Sequence, residues 1–402
     1  MNLTKAWKML LLLCLAELMG MTVWYSASAV TPALKAEWGL TDSQMATLVM
    51  SVQLGFVAGT LFLAATNLAD VVKTRKVLAT SALLAAAVNA AFVPLGRNMV
   101  AGTTLRFLTG FFLAGIYPPG MKMIAGWFKA ARGLAIGALV GALTVGTALP
   151  HLVGALLRAR WQLAIYTSSV LALLAALLIV LFVTEGPYEV QASRFNFKYV
   201  FTVWQDRPTR LAYFGYFGHM WELYAMWTWI PAFFLSFLDR QADAPPYSAG
   251  VAAFLVIAAG GVGCVVYGLW ADRIGRSIST ITAMSVSGLC CFLVGFLQHL
   301  SPTWMLAICL LWGVTVVADS AQFSAAASEL SSPEYLGTVL TLQTSIGFLI
   351  TMFSIRLVPL LKGLGGWGLA FSILGLGPIL GILSMASLYR LPEAVKMANG
   401  NR

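Results

Sequence analysis

The sequence predicts an all-α membrane protein whose twelve transmembrane helices form two parallel six-helix repeats. Three observations carry that prediction. Of 402 residues, 59% are hydrophobic and only 10% charged, whereas soluble domains carry about 25% charged residues. Apolar runs of roughly 20 residues, long enough to cross about 30 Å of hydrocarbon as helix, recur from Leu10 to Leu388. Local matches between the two halves of the chain fall at nearly one offset.

The predicted spans are 9–33, 43–65, 77–95, 99–120, 133–157, 162–184, 210–237, 248–270, 278–298, 303–328, 335–358 and 367–388. Helices are favoured over a barrel because barrel strands alternate apolar and polar residues, while a run such as Val170–Val183 is apolar on every face. The matches that define the repeat are Asp70 with Asp272, Gly133 with Gly337, and Trp161-Gln162-Leu163-Ala164 with Trp367-Gly368-Leu369-Ala370. Six spans per copy start both copies on the same side, which makes them parallel repeats about an axis along the membrane normal. The polar stretch that holds Pro187 and Pro208 separates them. The expected domains are therefore residues 1–184, a cytoplasmic linker 185–209, and residues 210–402.

The net charge is +10, yet the basic residues are scattered among short loops with no aromatic-laced patch, so no nucleic acid is expected. With both termini in the cytoplasm, seventeen Lys and Arg fall inside and seven outside, which is the positive-inside bias of a multi-pass inner (plasma) membrane protein. The first apolar segment holds Glu17 and bulky Trp24 and Tyr25, so it reads as span 1 rather than a cleaved leader. Cys14, Cys264, Cys290, Cys291 and Cys309 lie within apolar runs without metal-site spacing; no metal, cofactor or catalytic constellation is expected.

The loop after span 8 reads Gly268-Leu269-Trp270-Ala271-Asp272-Arg273-Ile274-Gly275-Arg276. It resembles the cytoplasmic signature of the major facilitator superfamily, and the span count and repeat agree over the whole chain. The first-half copy keeps Asp70 and Arg75 but places Thr66 and Lys73 where the second copy has glycines. The resemblance implies that these loops act as a cytoplasmic gate, latching adjacent helices in the outward-facing state. The Arg106-to-Gly110 spacing of span 4 is similar to a basic motif of the family. Leu149-Pro150 stands where the family's antiporters carry Gly-Pro, so drug antiport is not supported. Trp24-Tyr25-Ser26, Tyr117-Pro118-Pro119-Gly120 and Ala318-Asp319-Ser320 faintly resemble the nitrate/nitrite-porter and oxalate/formate relatives. Nitrate porters use Arg in spans 2 and 8, where this chain has Gln53 and no charge in the apolar stretch, so the Arg pair suited to a small planar anion is missing.

An ionised side chain at mid-bilayer costs about 2.5 to 3.5 kcal/mol on insertion scales, which makes each one a functional candidate. The deep ones are Glu17, Arg106, His219, Glu222 and Asp319, on spans 1, 4, 7 and 10, which the resemblance implies line a central cavity. Helical periodicity puts Glu17, Met21, Trp24 and Ser28 on one face, and Trp312, Thr315, Asp319 and Gln322 on another. Trp24 and Tyr224 are expected to contact substrate, Glu17, Glu222 and Asp319 to carry proton coupling, and His151 to sit solvated near the outer end of span 5. The expected protein is a monomeric, proton-coupled carrier of a small solute working by alternating access in the lipid bilayer. An uncoupled facilitator or exchanger is the rival within transport; an intramembrane enzyme, hinted at only by His219 with Glu222, and a transporter-like receptor are the rivals outside it.

Overall fold

The computed structural model describes residues 3–128, 132–157, 160–188, 195–196, 198–241 and 246–402, with the side chains of all of these but 3, 4, 69, 70, 132 and 333. Every regular element among them is helical. Among the described residues nine segments are long and apolar enough to cross a membrane. The last of them, Leu336–Tyr389, is 54 residues long. As one straight helix it would measure about 80 Å, too long for a single crossing of about 30 Å. It folds back at Gly365 and Gly366, where Gly366 has φ +66°, and so supplies spans 11 and 12. Leu3–Met21 in span 1 and Arg207–Leu238 as span 7 complete the expected twelve.

Three spans that read as continuous in the sequence are broken. Span 1 unwinds between Leu3–Met21 and Ser26–Ala29, span 4 between Met99–Leu113 and Tyr117–Ala125, and span 10 between Pro302–Val316 and Ser320–Leu330. In span 4 the cause is local: prolines at the first turn of Tyr117–Ala125 have no N–H to give to a preceding turn. Other ends follow ordinary capping. Thr41 accepts from Gln44 N and Gln44 Oε1 accepts from Thr41 N, a capping box that starts Asp42–Thr66.

The described chain forms two compact units, Met1–Gln191 with Tyr247–Ala258, and Ala192–Pro246 with Ala259–Arg402. In the first, span 2 packs on span 4, span 3 on spans 4 and 6, and span 1 on spans 5 and 6; in the second, span 7 packs on spans 11 and 12 and span 9 on spans 10 and 12. The repeat is visible in how backbones approach. A Cβ on Gly59 would lie 2.3 Å from Phe111 O in span 4, and one on Gly263 would lie 1.9 Å from Val314 O in span 10. Each glycine lets its helix lie directly on its neighbour, and the two pairs are related by nearly the offset that links the loop motifs.

Candidate functional site

In the first unit, unwinding span 1 releases main-chain carbonyls inside a protein layer that has no bulk water to satisfy them. Arg106, 1% exposed on span 4, supplies the donors. Its Nη2 donates to Val23 O at 3.0 Å and to Trp24 O, and its Nη1 to Asn89 Oδ1 at 2.9 Å and Ser26 Oγ at 3.2 Å. Asn89 in turn donates to Ser169 Oγ at 2.9 Å and Ile165 O at 3.2 Å, which ties span 3 to span 6. Arg106 thus matches oxygen dipoles, and no carboxylate is paired with it among the described residues.

Glu17 is 2% exposed and its Oε1 makes no hydrogen bond among the described residues. Its Oε2 lies over Gly120, where an added Cβ would fall 2.9 Å away, so a glycine in span 4 makes room for the carboxyl group. Trp24 is buried against Phe56, with ring centroids 5.0 Å apart. The expectation of a solvated His151 is overturned. The side chain is 2% exposed, with Nε2 unpartnered among the described residues and Tyr25 6.0 Å away by ring centroids, because span 1 covers this end of span 5: Gly154 lies close against Ala29.

In the second unit His219 and Asp319 meet, with Nδ1 2.8 Å from Oδ1 and both side chains 1% exposed. Asp319 sits at the break of span 10, immediately before Ser320–Leu330, so its position depends on the unwinding. The His219 ring is held between Tyr216 and Phe323, at 6.0 and 5.6 Å, and its Nε2 has no hydrogen bond among the described residues. Glu222, one turn along span 7, is held differently. Its Oε1 accepts from Trp312 Nε1 at 2.6 Å and Cys291 Sγ at 3.2 Å, and its Oε2 from Ser287 Oγ at 2.9 Å. Tyr224 packs against Trp227 and Phe348.

Of the predicted stripe of span 10, Trp312 and Asp319 both face span 7, whereas Gln322, beyond the break, does not. Trp312 turns to Glu222, Asp319 to His219, and Gln322 to Arg276, whose Nη1 donates to Gln322 Oε1 at 2.8 Å. Gln322 therefore stands with the gate rather than with the buried acids. Around Arg276, Nη1 also reaches Asp272 Oδ1 at 2.9 Å and Nη2 reaches Glu329 Oε1 at 3.0 Å. The segment Pro392–Gly400 and the residues after it close over this cluster. Ala398 N donates to Glu329 Oε2 at 3.0 Å, Asn401 Nδ2 to Asp272 O at 3.2 Å, and Ser277 N to Arg402 O at 3.3 Å. Gly275 has φ +95°, and a Cβ there would lie 2.2 Å from both Asn401 O and Arg402 O, so only glycine fits. Gly268 is buried in the helix that ends at Ile274, and Arg273 is exposed at its last turn. In the first-half loop Arg75 donates through its main chain to Glu185 Oε1 at 2.9 Å and through Nη1 to Val183 O at 3.1 Å; the Asp70 side chain lies outside the described residues.

Residues that the sequence reading passed over include Asn89, Ser287 and Glu329, and Cys291 figured in it only as one of five cysteines in apolar runs. It weighed Gln53 only as the place of a missing Arg. Gln53 and Gln343 are at most 1% exposed, with both amide atoms free of hydrogen bonds among the described residues. Their one sequence signal was a polar residue inside an apolar run. No cluster of His, Cys, Asp or Glu among the described residues has metal-site geometry.

The pattern of the Major Facilitator Superfamily matches residues 13–355, and the chain belongs to that family. The fold is similar to a solved proton:xylose symporter, XylE, bound to 6-bromo-6-deoxy-D-glucose, with TM-score 0.74, 15% identity and 96% of each chain covered. It is likewise similar to a crystal structure of a D-xylose-proton symporter, with TM-score 0.74, 16% identity, and 96% of this chain and 98% of that one covered. A comparison with curated proteins found no match in sequence. The protein is accordingly an integral, multi-pass membrane transporter of the secondary class and not an enzyme. The comparisons carry the superfamily and not its nitrate or oxalate branch.

Proposed function

We propose that the protein is a proton-coupled carrier of a small polar solute, working as a monomer by alternating access between two six-helix halves, 1–184 and 210–402, with the linker 185–209 and both termini in the cytoplasm. The observation that carries the coupling reading is the buried His219–Asp319 pair. His219 Nδ1 and Asp319 Oδ1 lie 2.8 Å apart without a hydrogen bond aligned between them, so a small rotation of either side chain completes a path for one proton and still leaves Nε2 for exchange with water. Alternating access brings water to the pair from one side of the membrane and then the other, which is how a carrier of this kind loads and releases a proton. Glu17, with an unpartnered Oε1, is the second group able to do this. Glu222 is a poorer carrier, because Trp312 Nε1–H only donates, and the oxygen it faces must go on accepting.

In the second unit the buried Gln343 amide, without a hydrogen bond among the described residues, offers a donor and an acceptor, which suits a neutral solute bearing hydroxyl or amide groups more than a bare anion. The solved symporters of xylose with the same fold support the coupling reading. Purified protein in proteoliposomes, loaded with candidate solutes and given an inward-acid or outward-acid gradient, tests it. Accumulation that follows the gradient is the expected result, and transport of the solute down its own gradient with no response to pH would reject coupling.

A further inference from the structure

The two arginines of the loop after span 8 have different surroundings. Arg276 spends its guanidinium on Asp272, Gln322 and Glu329. Arg273, three residues earlier, is exposed and makes no hydrogen bond or ion pair among the described residues. The neighbouring Asp272 carboxylate is already matched by Arg276, so the charge on Arg273 is the one left uncompensated at this end of the helix.

Arg273 lines one shallow, open surface groove of about 490 Å³ together with Val266, Tyr267, Leu269 and Trp270. The Tyr267 and Trp270 rings meet edge to face at 5.4 Å. Below them Val262, Val266 and Leu269 are 62%, 51% and 48% exposed along one helix side. From Val262 to Arg273 the helix rises about 16 Å, comparable with one acyl chain in half of a bilayer whose core is about 30 Å thick. The column thus runs from an apolar stripe, through an indole of the kind that anchors at headgroup level, to a planar cation whose fork fits two phosphate oxygens.

We propose that this groove binds an anionic phospholipid, with the phosphodiester on Arg273, the glycerol region against Trp270 and Tyr267, and an acyl chain along Leu269, Val266 and Val262. A lipid is favoured over free phosphate because the apolar column below the cation has no role in binding an inorganic ion. The bound headgroup lies next to Asp272, and so next to the cluster that Arg276 and Glu329 hold.

The test is lipid retention by the purified full-length chain in detergent, measured by native mass spectrometry during titration with phosphatidylglycerol or phosphatidylcholine of identical chains. The wild type should retain phosphatidylglycerol in preference, by about fivefold, which corresponds to about 1 kcal/mol for one cation at an anionic headgroup. Arg273→Gln should abolish the preference, Arg273→Lys should keep part of it, and Trp270→Ala should weaken retention of both lipids. Arg273→Lys guards against misfolding, since it keeps the charge. Equal retention of the two lipids by the wild type, an undiminished preference in Arg273→Gln, or displacement of the lipid by millimolar inorganic phosphate would each overturn the proposal.

Discussion

His219 Nδ1 lies 2.8 Å from Asp319 Oδ1, with both side chains withdrawn from solvent. The contact joins the continuous helix of span 7 to the point where span 10 unwinds. A movement that rewinds or bends span 10 therefore changes the distance between the two groups, and with it their hold on a proton.

For this reason Asp319→Asn and His219→Gln are expected to abolish accumulation driven by a pH gradient. Exchange of labelled for unlabelled solute, which moves no net proton, should persist at a reduced rate in proteoliposomes. Full gradient-driven accumulation in both variants would remove the pair from the coupling step.

Glu222 is expected to behave as an anchor. Glu222→Ala leaves Trp312 Nε1–H buried without its acceptor, at a cost of about 1 to 3 kcal/mol. Glu222→Gln keeps an oxygen for Trp312 and should cost less. Thermal unfolding in detergent ranks the two, and an equal melting temperature for Glu222→Ala and wild type would contradict the assignment.

Arg106 holds open-ended carbonyls, so its shape matters beyond its charge. Arg106→Lys keeps the cation but loses the fork that reaches Val23 O, Trp24 O and Asn89 together. It is expected to be nearly as destabilising as Arg106→Gln. If lysine restored wild-type stability, a simple charge requirement would be sufficient.

The gate cluster predicts a conformational rather than a folding effect. Glu329→Gln removes the charge from the Arg276 pair while leaving an oxygen for Ala398 N. Its 28% side-chain exposure limits the loss of stability to the range of about 0.2 to 1 kcal/mol seen for exposed pairs. Spin-label distances across the cytoplasmic ends should nevertheless broaden toward the inward-open state. Gly275→Ala, by contrast, should expel the segment from Pro392 onward, which limited proteolysis reads directly as faster cleavage there.

The architecture was legible because membrane spans announce themselves by length and composition, and because the loop motif is local: Asp272, Gly275 and Arg276 lie within five residues and keep their relation in the fold. The buried contacts were not legible, for separable reasons. Val316-Val317-Ala318-Asp319-Ser320 contains neither Pro nor Gly, so nothing in its text marks the break that turns Gln322 away from Trp312 and Asp319. Arg106 invited a search for a carboxylate, whereas its partners are main-chain oxygens, which carry no sequence signal. His151 lies near a helix end, and whether such an end is wet depends on what packs over it, here span 1.

The segment beyond Leu391 touches the gate largely through groups that every amino acid possesses: Ala398 gives its amide, and Arg402 and Asn401 present carbonyls to Ser277 and Gly275. Such contacts record spacing and not identity. Over evolutionary time this stretch is free to drift in composition, whereas an inserted or deleted residue between Leu391 and Arg402 would throw every one of those contacts out of step at once. Among relatives, the region should then look unalignable by letter while remaining constant in length.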